Sequence, residues 1–180
     1  MKTPHAAALG AAVIVLVGGL FAAAAANGVA QPQTDSQLVK PAVSNASGDF
    51  YTADQLPSVW AAVITHYPRS LPAGSAFPEQ PPSFFDPDPG AKPLYQAGLV
   101  DEVVASYWEC AWLKAGIAAE KDGSVSALKV ADQAIADYGS LPSVSVGLNI
   151  AEYRGAIATY AKHAGITDLR QAELEMECSE

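Results

Sequence analysis

A run of 21 residues from Ala6 to Ala26 carries no charged or strongly polar side chain. A helix that is apolar on every side has no water-facing surface to offer a small soluble domain. At about 1.5 Å per residue the run extends roughly 32 Å, enough to cross a hydrocarbon core. Lys2 precedes it, its most apolar part is Leu9 to Phe21, and it passes through Ala22–Ala26 into Asn27-Gly28-Val29-Ala30. A basic start, a short apolar middle and small residues at the end are the layout of a secretory signal peptide, with cleavage expected after Ala26 or Ala30. The alternative is a retained single-pass anchor, with the membrane itself as a partner of residues 1–30. Both place the N-terminus inside and everything beyond residue 30 outside, because the positive charge precedes the run and the chain after it is acidic. The expected localisation is therefore extracytoplasmic, secreted after cleavage and membrane-anchored otherwise.

Residues 31–51 are rich in Gln, Ser, Pro and Asp without a sustained hydrophobic period. They read as a flexible tether ahead of a domain over residues 52–180. Asn45-Ala46-Ser47 within it matches a glycosylation acceptor. The remaining domain is long enough to bury a hydrophobic interior without metals. Ten basic against 19 acidic residues leave a formal charge of −9, and no Lys or Arg occurs between Lys2 and Lys40. That sign repels phosphate backbones and anionic lipid surfaces, which excludes nucleic acid as a partner.

Val59, Trp60, Val63, Ile64 and Tyr67 form an apolar stripe behind a possible Thr52 cap and a first-turn Pro57, so a helix is expected within 53–66. The β-branched residues of Val59–Thr65 leave a strand as the alternative. Eight prolines between residues 68 and 93 then exclude regular structure. Phe77, Phe84, Phe85 and Tyr95 offer ways for this long loop to pack down. The strongest helix runs from Leu99 to Lys121. It has Val100, Val103, Val104, Tyr107, Ala111 and Ala118 at helical spacing, Asp101 and Glu102 in the first turn, and Asp122-Gly123 as its stop. A third is expected from about Ser126 to Tyr138, and a fourth from about Ser143 to Ala164 on the repeat Val146, Ile150, Tyr153, Ile157, Tyr160, Ala164. Residues 173–178 alternate with a period of two, yet without a partner strand a helix starting at Thr167-Asp168 is preferred. The expected fold is all-α, a small bundle of four to five helices following the export segment and tether.

Two features carry chemical interest. Cys110 lies mid-helix and Cys178 near the C-terminal end, and an even pair in an exported chain is expected to be oxidised. Closing that loop restricts the unfolded chain by roughly 4 kcal/mol in the entropy model. Trp108, Glu109 and Trp112 form the densest stretch: indoles one turn apart could flank a sugar, with Glu109 as acid or hydrogen-bond partner. The competing reading makes both indoles core anchors and pairs Glu109 with a base such as Arg154.

Asp86–Gly90 departs from a calcium loop in its prolines, its early glycine and Ala97 at the twelfth position. His66 and His163 follow no metal spacing, and there is no Gly-rich phosphate loop, Gly-x-Ser-x-Gly or Cys-x-x-Cys. No catalytic residue, metal or cofactor is therefore expected. The functional expectation is a non-enzymatic domain that binds an envelope or secreted protein partner, with cell-wall glycan binding or hydrolysis through Trp108, Glu109 and Trp112 as the alternative.

Overall fold

The computed structural model describes residues 35–178. The apolar run Ala6–Ala26 and its expected cleavage positions lie outside the described residues. Within them the chain is mostly helical, with six helices and one small antiparallel sheet. No helix among the described residues is long and apolar enough to cross a membrane.

Helix α1 spans Leu56–His66, with Pro57 in its first turn, where a missing N–H costs nothing. Leu56, Val59, Trp60 and Val63 are its buried residues. Their spacing of three, one and three gathers them on one helical stripe, which overturns the strand alternative for Val59–Thr65: a strand would send Val59 and Trp60 to opposite faces. The helix ends at Tyr67, which precedes Pro68 and takes the extended ψ that a following proline favours.

The stretch 31–51, expected as a tether, instead enters the domain from Ser36 onward. Strands β1 (Val43–Asn45) and β2 (Gly48–Thr52) pair as a hairpin, and β3 (Leu94–Gln96) adds to β2, giving the order β1-β2-β3. The turn is built by Asn45, whose Oδ1 accepts the Ser47 N–H at 2.8 Å, and by Gly48 at φ +124°, a conformation that favours glycine. A buried polar knot fastens the preceding residues. The Ser36 N–H donates to Asp101 Oδ1 at 3.2 Å, and the Ser36 Oγ accepts the Gly98 N–H at 3.2 Å. The Tyr51 hydroxyl donates to the Ser36 carbonyl at 2.6 Å, and Ser36 and Tyr51 are both fully buried. Hydrophobic periodicity misses this segment because Tyr51 is the one strand residue that goes fully inside.

Helix α2 spans Leu99–Lys121, as its periodicity predicts, and α3 spans Val125–Asp137. They approach closely at Gly116, where an added Cβ would sit 3.3 Å from the Ala131 Cβ and 3.4 Å from the Arg170 Cδ. The expected fourth helix is two. Helix α4 (Pro142–Ser145) ends before Gly147, and α5 (Ile150–Ala164) restarts behind Asn149, whose Oδ1 accepts the Ala151 N–H at 3.2 Å. The apolar repeat runs through this break, but Val146 is exposed, and the Asn149 cap wins over continuing the helix across glycine. Helix α6 (Leu169–Glu177) begins behind Asp168, whose Oδ1 accepts the Arg170 N–H at 3.0 Å. The period of two in 173–178 is therefore a helical surface and not a strand.

The interior has three parts. Tyr51, Leu56, Val59, Trp60, Val63, Phe85, Val100 and Val104 fill the first. Ala105, Trp108, Tyr138, Leu141 and Val144 form the second. Ile157, Ala161 and Ala172 form a smaller third between α5 and α6.

Candidate functional site

Helix α2 carries the stretch singled out for ligand contact, and its helical turn places Trp108 and Trp112 on one side, ring centroids 6.4 Å apart at 67°. Trp108 is 3 % exposed and Glu109 2 % exposed, while Trp112 is half-buried. Both indole N–H groups point to one acceptor, the Ser70 carbonyl just after α1, at 2.9 Å from Trp108 Nε1 and 3.2 Å from Trp112 Nε1. The third tryptophan does the same further along. Trp60 Nε1 donates to the Pro78 carbonyl at 2.7 Å, and the Tyr95 hydroxyl donates to the Phe85 carbonyl at 2.6 Å. All three tryptophans of the chain thus hold the proline-rich loop by its carbonyls. The physical reason is that such a loop has acceptors to spare: each proline keeps its C=O and lacks an N–H, so carbonyls facing the core need side-chain donors. Indole supplies one donor on a large apolar body.

Glu109 leaves that face and turns toward the C-terminal end of the chain. The Tyr153 hydroxyl of α5 donates to its Oε2 at 3.3 Å. The expected partner Arg154 is replaced by a second acid: the Glu173 carboxyl of α6, 8 % exposed, faces Glu109 within hydrogen-bonding reach. Burial pushes the Glu109 carboxyl well above the usual carboxylate range, and the charge of Glu173 pushes it further. Burial raises Glu173 as well, opposed by its hydrogen bonds to Tyr153 and Glu109 and by the Arg154 guanidinium. Two ionised carboxylates cannot share so dry a site, so the pair holds a proton at neutral pH. Burial and the nearby Glu109 also raise the Tyr138 and Tyr153 phenols, which stay protonated.

Cys110 and Cys178 lie beside this pair, their sulfurs 2.03 Å apart as a disulfide. At the other end of α6, Arg170 reaches Asp132 of α3 at 2.8 Å, Glu120 of α2, and its own cap Asp168. Arg170 against Glu120 and Cys178 against Cys110 mean that α6 runs antiparallel to α2. Glu173, Tyr153 and Arg170 were not among the residues expected to carry chemistry. The cysteine pairing held the signal, because joining Cys178 to Cys110 necessarily brings the acidic face of α6 near Glu109.

Two surface depressions lie elsewhere. One, of about 360 Å³, runs along α3 past Val125, Leu128, Lys129 and Asp132. The other, of about 340 Å³, lies where Leu56 and Pro57 meet Pro81 and Phe85. The described residues contain no group of three or more His, Cys, Asp or Glu side chains placed to hold a metal ion. His66 is exposed, and its Nδ1 lies 2.9 Å from the Ala62 carbonyl of its own helix.

The arrangement around α2 can therefore fix a loop and share a proton, but its buried acid has no open face on which to receive a glycan. No family model, no curated protein and no solved structure matches this chain.

Proposed function

We propose that the chain is an extracytoplasmic, non-enzymatic binding domain that meets a protein partner through the outer face of α3 and the proline-rich loop. The observation that carries this reading is how Trp108, Glu109 and Trp112 are used: the indoles hold Ser70, and Glu109 is buried against Tyr153 and Glu173. Glycan hydrolysis needs an acid in contact with the scissile bond and a second carboxylate across it. Glu109 meets neither condition, which disfavours the glycan alternative. Of the exposed large apolar side chains, Val125 and Val130 lie on α3 and Phe84 on the loop, while Leu38, Leu94, Val146 and Leu169 are spread elsewhere. Scattered exposed apolar residues are ordinary, but Val125 is 80 % exposed and borders the open depression on α3.

Placement outside the cytoplasm rests on the basic-then-apolar order of residues 1–30, and the disulfide adds support, because such bonds persist in oxidising compartments. The product is secreted if cleaved after Ala26 or Ala30, and otherwise stays membrane-anchored.

A photo-crosslinking residue placed at Val130 of the full chain in its own host tests the partner surface. A discrete crosslinked species is expected from Val130 and not from Lys114, exposed on α2. Equal crosslinking from both positions, or none, removes the proposal. Glycan binding lost in Glu109→Gln at unchanged folding would instead revive the alternative.

A further inference from the structure

Helix α6 is nine residues long and is held at its two ends by different chemistry. Its N-terminal end is fastened by ion pairs from Arg170 to Glu120 and Asp132. Its middle meets α2 through the Glu109–Glu173 pair, and its C-terminal end through the Cys110–Cys178 disulfide. Between them the apolar contribution is small, centred on Ala172 against Ile157 and Ala161. The groups facing the acid pair are Glu177 of α6, Tyr153 and Arg154 of α5, Tyr138 after α3, and Tyr67 after α1. Arg154 is the one cation among them, and it acts on Glu173.

We propose that the C-terminal half of α6, from Glu173 on, is a proton-gated latch: Glu109 and Glu173 share one proton while α6 lies on α2, loss of that proton drives the two helices apart, and the Cys110–Cys178 disulfide limits the opening. Geometry carries this. Two carboxyl side chains from antiparallel helices, 2 % and 8 % exposed, lie close enough to interact, and the Tyr153 phenol donates to Glu109. With one proton, the protonated acid donates to the carboxylate and Tyr153 satisfies a further lone pair. With none, two like charges stand in a desolvated seam, and separation into water relieves them. The proton is bound more tightly closed than open. Closure is therefore fully favoured below the ordinary carboxyl range and is lost as pH rises through the raised range of the pair. Opening uncovers the Ile157–Ala161 strip of α5 in less acidic surroundings.

Hydrogen exchange of the α6 amides in the full chain, corrected for the intrinsic pH dependence of exchange, reads the opening directly. Between about pH 5 and pH 9 the opening constant is expected to rise by up to about tenfold per pH unit, the limit for one proton released. The α3 amides should stay better protected than those of α6 at every pH, because a local opening of α6 leaves α3 folded. Glu109→Gln keeps shape and donor and should flatten the α6 profile while leaving α6 as protected at high pH as the parent is at low pH. Glu173→Gln should flatten it too, and serves should the first variant fold poorly. A Cys110→Ala/Cys178→Ala variant should keep the slope and raise the opening constant throughout. A flat α6 profile in the parent chain, or a slope that survives both Gln variants, overturns the proposal.

Discussion

The two ends of the folded domain solve the same problem with different materials. The first core, where α1 meets the start of α2, is built from large side chains. Tyr51, Trp60, Val59, Val63, Val100 and Val104 are all within 2 % of complete burial, and Trp60 meets Tyr107 edge-on at 5.8 Å. Its polar groups are neutral or hydrogen-bonded, as in the indole N–H of Trp60 on the Pro78 carbonyl. Helix α6 buries only Ala172 against Ile157 and Ala161 of α5, and its seam with α2 is held by a disulfide, an arginine among three carboxylates, and an acid pair. Where the sequence supplies apolar area, burial alone orders the chain; where it supplies alanine and glutamate, covalent and ionic links take over. The first kind of core holds no disulfide and leans less on ionisable groups. The second depends on both.

The largest effect should come from the apolar side of this contrast. Trp60→Ala removes a fully buried indole and the donor that holds Pro78, and is expected to cost about 3–5 kcal/mol in chemical denaturation. A cost below about 1 kcal/mol would mean that the first core does not dominate stability. Replacing both cysteines by alanine should follow at about 2–4 kcal/mol, since the bond spans a sequence separation of 68 residues. Unchanged urea midpoints in that variant would show that the seam needs no covalent help. The smallest effect tests how much pH dependence the first region carries. Glu102, on the first turn of α2, has its carboxyl pushed up to about 7, first by burial and then by the neighbouring Asp101. A carboxyl raised on folding contributes stability that is fully present below the ordinary range and fades as pH climbs through about 7. Thermal melts of Glu102→Gln should therefore lose part of the decline seen between about pH 5 and pH 8. If Glu102→Gln and the parent chain decline in parallel, all of the pH sensitivity lies in the seam and the contrast is sharper than drawn.

Local pattern was enough to read most of the helices. Leu99–Lys121 emerges from its apolar spacing, its acidic first turn and the Asp122-Gly123 stop, because all three act over a few residues. The proline density of residues 68–93 likewise dictates a loop on its own. The two cysteines could be paired by parity, there being only one partner for each.

What stayed hidden depended on groups far apart in the chain. Ser36 is a polar residue in a polar stretch, and its burial follows from Asp101, Gly98 and Tyr51 arriving around it from 65, 62 and 15 residues away. The break between α4 and α5 looked continuous because apolar period outlasts it; the Asn149 cap and the exposure of Val146 decide otherwise. Trp108, Glu109 and Trp112 were visible as an unusual cluster, but whether indoles face solvent or a loop carbonyl depends on where Ser70 lies, 38 residues from Trp108. Periodicity and capping are properties of neighbours along the chain, so the sequence alone determined most of the helices, the loop and the cysteine pairing. Burial of charge and the partner of each donor are properties of neighbours in space. Only the tertiary structure, by laying α6 back along α2, could turn Glu109 from a candidate surface acid into half of a buried pair.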